Sequence, residues 1–176
     1  MSFLHHTSRP RKSLGWPGLL GSLVLAAALP EPALAQNASQ IARVRAGQSC
    51  PGCNLFQGDF SYMEARGLNL SGARLRRANL SLSVMNRTRF TNADLRDVDA
   101  YGAVFSSARF GGANLTNASF VGTFLEGADF SGARLDGVNF SGAQMQGATG
   151  LTQRQLDRAC GDAATRLPGL LRIPAC

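Results

Sequence analysis

Beyond residue 35 this chain contains no histidine and no lysine, because His5, His6 and Lys12 all lie in the first 35 positions. That excludes His general bases, Ser/His and Cys/His nucleophile pairs, His-ligated metals, Schiff-base lysines and a phosphate-binding Walker A lysine. Charged residues are also scarce, at 16% of the 176, and aromatics make up 7%. No apolar run approaches the ~20 residues that cross a bilayer, so no membrane span is expected in the mature protein. What remains is glycine-rich and moderately apolar, with 20 Gly and 44% hydrophobic residues, which is a globular composition. Residues 36–176 carry 15 Arg against 10 acidic residues. The reading is a basic, non-enzymatic protein.

Residues 1–35 read as a secretory leader. Arg9, Arg11 and Lys12 form the basic start, Leu19 to Leu29 the short apolar stretch, and Ala33-Leu34-Ala35 the small residues before a cut preceding Gln36. The expected location is therefore periplasmic or secreted, from a bacterial cell, and the four cysteines at 50, 53, 160 and 176 fit an oxidising compartment.

From Cys53 to Gly147 the chain follows a period of five without an insertion, giving 19 units in 95 residues. The third residue of every unit is Leu, Phe, Met or Ala, and the first is Ala in ten of the 19. All 17 charged residues of this stretch fall on the other three positions. Chance would do that about once in several thousand trials, so the first and third positions must point inward, where an unpaired charge is prohibitive. Neither 3.6 nor 2.0 periodicity gives a strict five. The chain must turn once per unit and build its core by stacking, as a solenoid.

Units such as Ala93-Asp94-Leu95-Arg96-Asp97, Ala113-Asn114-Leu115-Thr116-Asn117 and Ala128-Asp129-Phe130-Ser131-Gly132 resemble the A(D/N)Lxx consensus of pentapeptide-repeat proteins. The resemblance implies an all-β solenoid that needs no cofactor and no metal: a right-handed, four-sided β-helix, here of about 4.75 coils, rising ~4.8 Å per coil to a rod of about 23 Å. Every twentieth residue then shares a side, which stacks Leu55, Leu75, Leu95, Leu115 and Leu135, and likewise Leu70, Phe90, Phe110 and Phe130. Met63, Leu68, Ala65 and Ala100 depart in size from the pattern, making the first coil the least regular.

The open ends of such a rod require covers. Thr152-Gln153-Arg154-Gln155 has a capping-box pattern, and a short helix over about 153–160 is expected as the C-terminal lid, followed by an irregular tail. Ile41 and Val44 are the expected N-terminal plug, with 36–40 read as disordered. The domain reading is thus 1–35 leader, 36–52 N-terminal linker and cap, 53–150 β-helix, and 151–176 C-terminal helix and disulfide-closed cap. Since a bond across the rod would exceed the ~7 Å disulfide limit, Cys50–Cys53 and Cys160–Cys176 are the pairs that remain. Cys50-Pro51-Gly52-Cys53 could instead be a thioredoxin-like redox pair, but that chemistry works at a helix N-terminus beside a βαβ unit. Asp94, Asp97 and Asp99 read as a solvated face, and the Asn-x-Ser/Thr sites as by-products of the repeat.

Function must then lie on a surface. The leading reading is an extracytoplasmic scaffold or protein-interaction module, with an unknown protein partner or a second copy. The candidate contact patch is Leu82, Val84, Tyr101, Val104, Val121 and Phe124, which the register turns outward on neighbouring coils. The alternative is binding to a polyanion or an anionic envelope surface through Arg74, Arg76, Arg77 and Arg96, opposed by Asp94 and Asp136 on the same side. The resemblance also implies, as a less favoured reading, a DNA-mimicking gyrase inhibitor, whose acidic rod this basic chain lacks. No nucleic-acid partner is expected.

Overall fold

The structure is a computed structural model that describes residues 36–176. The leader reading, 1–35, lies outside the described residues. From residue 53 onward burial repeats every five positions: first and third residues are buried, with Met63 alone half-buried, and the remaining positions face solvent. Parallel bridges join residues 20 apart, such as Asn54 to Arg74 and Arg74 to Asp94, so four units make one coil. We number the faces by their second-position columns: face 1 holds Asn54 to Arg134, face 2 Asp59 to Asn139, face 3 Glu64 to Gln144, and face 4 Asn69 to Thr149.

The unit of five follows from where its amides donate. The second-position amide donates to the coil below and the third to the coil above, as when Arg74 donates to the Cys53 carbonyl and Leu55 to that of Arg74, both at 2.8 Å. The fifth also reaches the coil above, Gln57 donating to the Arg76 carbonyl at 3.1 Å. The first closes a tight turn, Gly58 donating to Leu55 at 3.0 Å. That turn places the fifth residue at positive φ, +70° at Gly67 for example, which is why glycine recurs there. The fourth amide has no backbone acceptor and is met by the Asn or Asp side chain two residues earlier. Nine units do this, from 2.8 Å at Ser141 to 3.3 Å at Phe56 and Arg96. The consensus Asn or Asp is therefore an Asx turn that completes the coil's hydrogen bonding.

Inside, the columns pack as stacks. Phe110 lies nearly parallel to Phe90 and Phe130, with centroids 5.2 and 5.1 Å away, while Phe105 and Phe120 meet its edge at 5.8 Å. Of the polar residues buried at first positions, Ser83 donates to the Leu80 carbonyl at 2.7 Å and Thr123 to that of Ala100 at 3.1 Å, whereas the Thr88 hydroxyl is buried without a hydrogen-bond partner among the described residues.

The N-terminal end differs from expectation. Of residues 36–40, read as disordered, 38–40 open a helix, α1 (Ala38–Arg45), capped by Asn37, whose side chain accepts the Gln40 amide at 3.1 Å. Ile41 and Val44 are buried as expected. Amides of the first coil that have no coil beneath them are met by side chains instead: Gln40 accepts from Asn54 at 2.6 Å and Ser49 from Asn69 at 2.8 Å.

At the other end α2 (Gln153–Leu156) is shorter than the expected 153–160. Its Thr152/Gln155 capping box forms, but past Asp157 the chain leaves the helix so that Cys160 can pair with Asn139 on face 2. Arg166 then pairs with Gln144 on face 3, and Gly161 with Ala175. The expected irregular tail therefore extends two of the β-helix columns. Cys50 pairs with Cys53 and Cys160 with Cys176, with Cα separations of 5.5 and 4.8 Å. No helix among the described residues is long and apolar enough to cross a membrane.

Candidate functional site

Face 3 departs from the rule that shapes the coil. Its second positions are Glu64, Val84, Val104, Phe124 and Gln144, so none can form the Asx turn. The amides left without that acceptor need another, and for Ser106 it is Asn86, one coil below, at 2.8 Å. An apolar column thus stands where a local hydrogen bond would otherwise support the turn. Val84, Val104 and Phe124 are bridged in succession, and Leu82, Tyr101 and Val121 occupy the corner toward face 2. Leu82, Tyr101 and Phe124 are 41%, 55% and 51% exposed, and the three valines are half-buried. Tyr62, 73% exposed at the same corner, extends the patch by one coil. It does not stand out in the sequence because the second position beside it is Glu64 rather than an apolar residue, although its fifth position faces outward like that of Leu82.

The C-terminal tail does not cover this surface. Leu167, Leu171 and Ile173 pack onto the core at the end of the coil, and Leu170 is 98% exposed. The ladder positions of Arg166 and Ala175 carry the tail along the end rather than down the side.

The arginines read as an anion surface on face 1 are largely committed. Arg96 donates to both carboxylate oxygens of Asp94 at 2.7 Å, and Arg77 lies 3.9 Å from Asp97. Arg76 places its guanidinium 5.4 Å from the Phe56 ring, with a buried Nε. Arg74 is exposed, bridged to Asp94 in the ladder. Hydrogen bonds from Arg96 hold the Asp94 carboxyl below its ordinary value against the opposing effect of partial burial. With a lowered folded-state pKa, this contribution is present above the ordinary carboxylate range and fades as pH falls through and below it. Because the pair is partly solvated, Asp94→Asn should cost less than about 1 kcal/mol at neutral pH, and the difference from wild type should vanish in melts taken at strongly acid pH.

The other aspartates of that run are also engaged, Asp97 as above and Asp99 by the Tyr101 amide at 3.0 Å. Cys50 and Cys53 are buried, 1% and 8% exposed, and follow α1 rather than opening a helix. A redox thiol needs access to its partner, so the geometry suits a structural pair.

A model of pentapeptide repeats matches the chain in eight copies over residues 69–106, 83–122 and 113–149. No curated protein matches it. Among solved structures, a pentapeptide repeat protein of the Arabidopsis thaliana thylakoid lumen is 28% identical over 62% of this chain and 58% of its own, with a TM-score of 0.32. The chain thus spans less than two thirds of that relative. A pentapeptide repeat protein from Nostoc PCC 7120 is 21% identical over 78% of this chain and 88% of its own, with a TM-score of 0.48. QnrB1, a plasmid-mediated fluoroquinolone resistance protein, is 16% identical over 66% of this chain and 85% of its own, at 0.25.

Proposed function

Because this chain belongs to the pentapeptide repeat family and is a right-handed β-helix solenoid, we propose that it works as a non-catalytic interaction module whose contact surface is face 3. The observation that carries this is the loss of the Asx turn along that whole face in favour of Val84, Val104 and Phe124, beside exposed Leu82 and Tyr101. Aromatic and aliphatic side chains held on a rigid ladder need little ordering on contact, which favours association. A second copy of the chain is the first partner to test, since two flat faces can meet about a two-fold axis. We place the protein outside the cytoplasm, as a scaffold or docking element of the periplasm or extracellular space. The leader-like residues 9–35 and the two cysteine pairs support that reading.

Light scattering should find the mature wild type as a dimer, or as a monomer that recovers a specific partner, and Val104→Glu/Phe124→Glu should abolish either association without lowering the melting temperature. A monomeric wild type with no partner lost in the double variant removes the proposal.

A further inference from the structure

The four face columns contain three bridges between charged residues among the described positions, and two of these set opposite signs side by side, Arg74 with Asp94 and Arg109 with Asp129. The third sets Arg89 against Arg109, a like-charge neighbour that a ladder disfavours. Two further arginines approach the same place from the corner between faces 3 and 4. Arg87, Arg89 and Arg109 line one cleft of about 370 Å³ with Gly67 and Ser107. Arg66 and Arg87 line an adjoining one of about 210 Å³ with Asn86, Ser106 and Ser107. Both clefts share Arg87 and Ser107, so they form one groove around the corner.

Unlike Arg77, Arg96, Arg134 and Arg158, none of these four arginines has a carboxylate within 4.0 Å among the described residues. The nearby acids are otherwise occupied: Asp129 accepts the Ser131 amide at 2.9 Å and hydroxyl at 2.6 Å, and Glu126 accepts the Gly147 amide at 3.1 Å. Glu64 lies on face 3, exposed, one ladder step from Val84. The groove holds guanidinium, hydroxyl and amide groups, with no apolar side chain to enter a bilayer and no aromatic ring to stack on a base or sugar.

We infer that this groove is a binding site for a soluble, multiply charged oxyanion of the polyphosphate class. Guanidinium forks match phosphate oxygens, and several linked phosphates satisfy an arc of arginines that one monoanion would leave partly unneutralised. A bound polyanion also relieves the Arg89–Arg109 repulsion. Face 1 supplies the built-in contrast, because Arg77, Arg96 and Arg134 there already have aspartate partners and Arg76 lies over the Phe56 ring.

The test is calorimetric titration of the mature protein with tripolyphosphate at about 0.1 M salt, where charges more than ~10 Å apart are largely screened. Saturable binding is expected, weakened about tenfold or more in Arg87→Asn/Arg109→Ser and changed less than about twofold in Arg134→Ser/Arg158→Ser, which removes the same charge elsewhere. Thermal melts check that each variant folds, and Arg89→Gln alone replaces the double variant if that one does not. Absence of saturable binding, or equal weakening in the two double variants, overturns the site. So does binding to phosphatidylglycerol vesicles that tripolyphosphate fails to displace, which would assign the arginines to a membrane surface.

Discussion

Phe110→Asp is expected to yield no folded β-helix. The new carboxylate would sit between the Phe90 and Phe130 rings, about 5 Å on either side, and against the edges of Phe105 and Phe120. No cation can reach it, because every charged residue of the repeats is on an outward position. Deleting the ring alone, as in Phe110→Ala, should cost about 3–5 kcal/mol. Burying an unpaired charge in its place adds several more. That total exceeds the stability of a typical domain, ~5–15 kcal/mol, at its lower end and leaves little at its upper. Asn114→Asp is the matched control. It introduces the same charge four residues later, where the side chain still accepts the Thr116 amide and stands outward in the ladder between Asp94, itself paired with Arg96, and Arg134. Circular dichroism and melting of the two variants decide the matter, and similar melting would refute the inward assignment of the third position.

The core was legible in the sequence because burying charge is forbidden, so the inward positions of a five-residue period can be identified from what never occurs there. Leu55, Phe110 and Met145 all fall where the register puts them. The ends were less legible. The helix at Ala38–Arg45 is short and carries only Ile41 and Val44 as apolar contacts, and it is held by its Asn37 cap and by the open edge it covers. Neither is a periodic signal. The C-terminal helix is legible at its start, where the capping box is local, and not at its finish. The demand that ended it is long-range, the pairing of Cys160 with Asn139.

The candidate surfaces divide in the same way. Val84, Val104 and Phe124 stood out because apolar residues replaced Asn or Asp, and the coil explains why that exchange matters. It removes the acceptor for the fourth amide of the unit. The arginines of face 1 were visible as a cluster in sequence, whereas Arg66, Arg87, Arg89 and Arg109 are scattered over 44 positions and meet only through the coil. A count of charges along the chain therefore points to the side where Arg77 and Arg96 are paired with aspartates, and only the three-dimensional ladder exposes the column where two of the same sign adjoin.

Removing the Cys160–Cys176 bond should be the more damaging of the two cysteine losses. The entropy of closing a loop with a sequence separation of 16 corresponds to about 3 kcal/mol, against about 2 kcal/mol for the separation of 3 between Cys50 and Cys53. Position reinforces the difference. Cys160 follows the last regular coil, where the Phe140 amide donates to its carbonyl and the Met145 amide to that of Arg166, each at 2.8 Å. The segment returning to Cys176 is otherwise held at the surface of the end coil, by the Gly161 amide to the Pro174 carbonyl at 2.8 Å, the Cys176 amide to that of Gly161 at 3.0 Å, two hydrogen bonds between the Gln153 side chain and the Arg172 backbone at 3.0 and 3.1 Å, and half-buried Leu167, Leu171 and Ile173. Cys160→Ala/Cys176→Ala should therefore lower the melting temperature more than Cys50→Ala/Cys53→Ala. Hydrogen exchange should quicken first at the Phe140 and Met145 amides, while Phe90 and Phe110 keep their protection until global unfolding. Uniform loss of protection along the rod would show that the tail and the coils unfold as one unit. Non-reducing peptide maps that join Cys53 to Cys160 or Cys176 would contradict the placement of the two pairs at opposite ends of the solenoid.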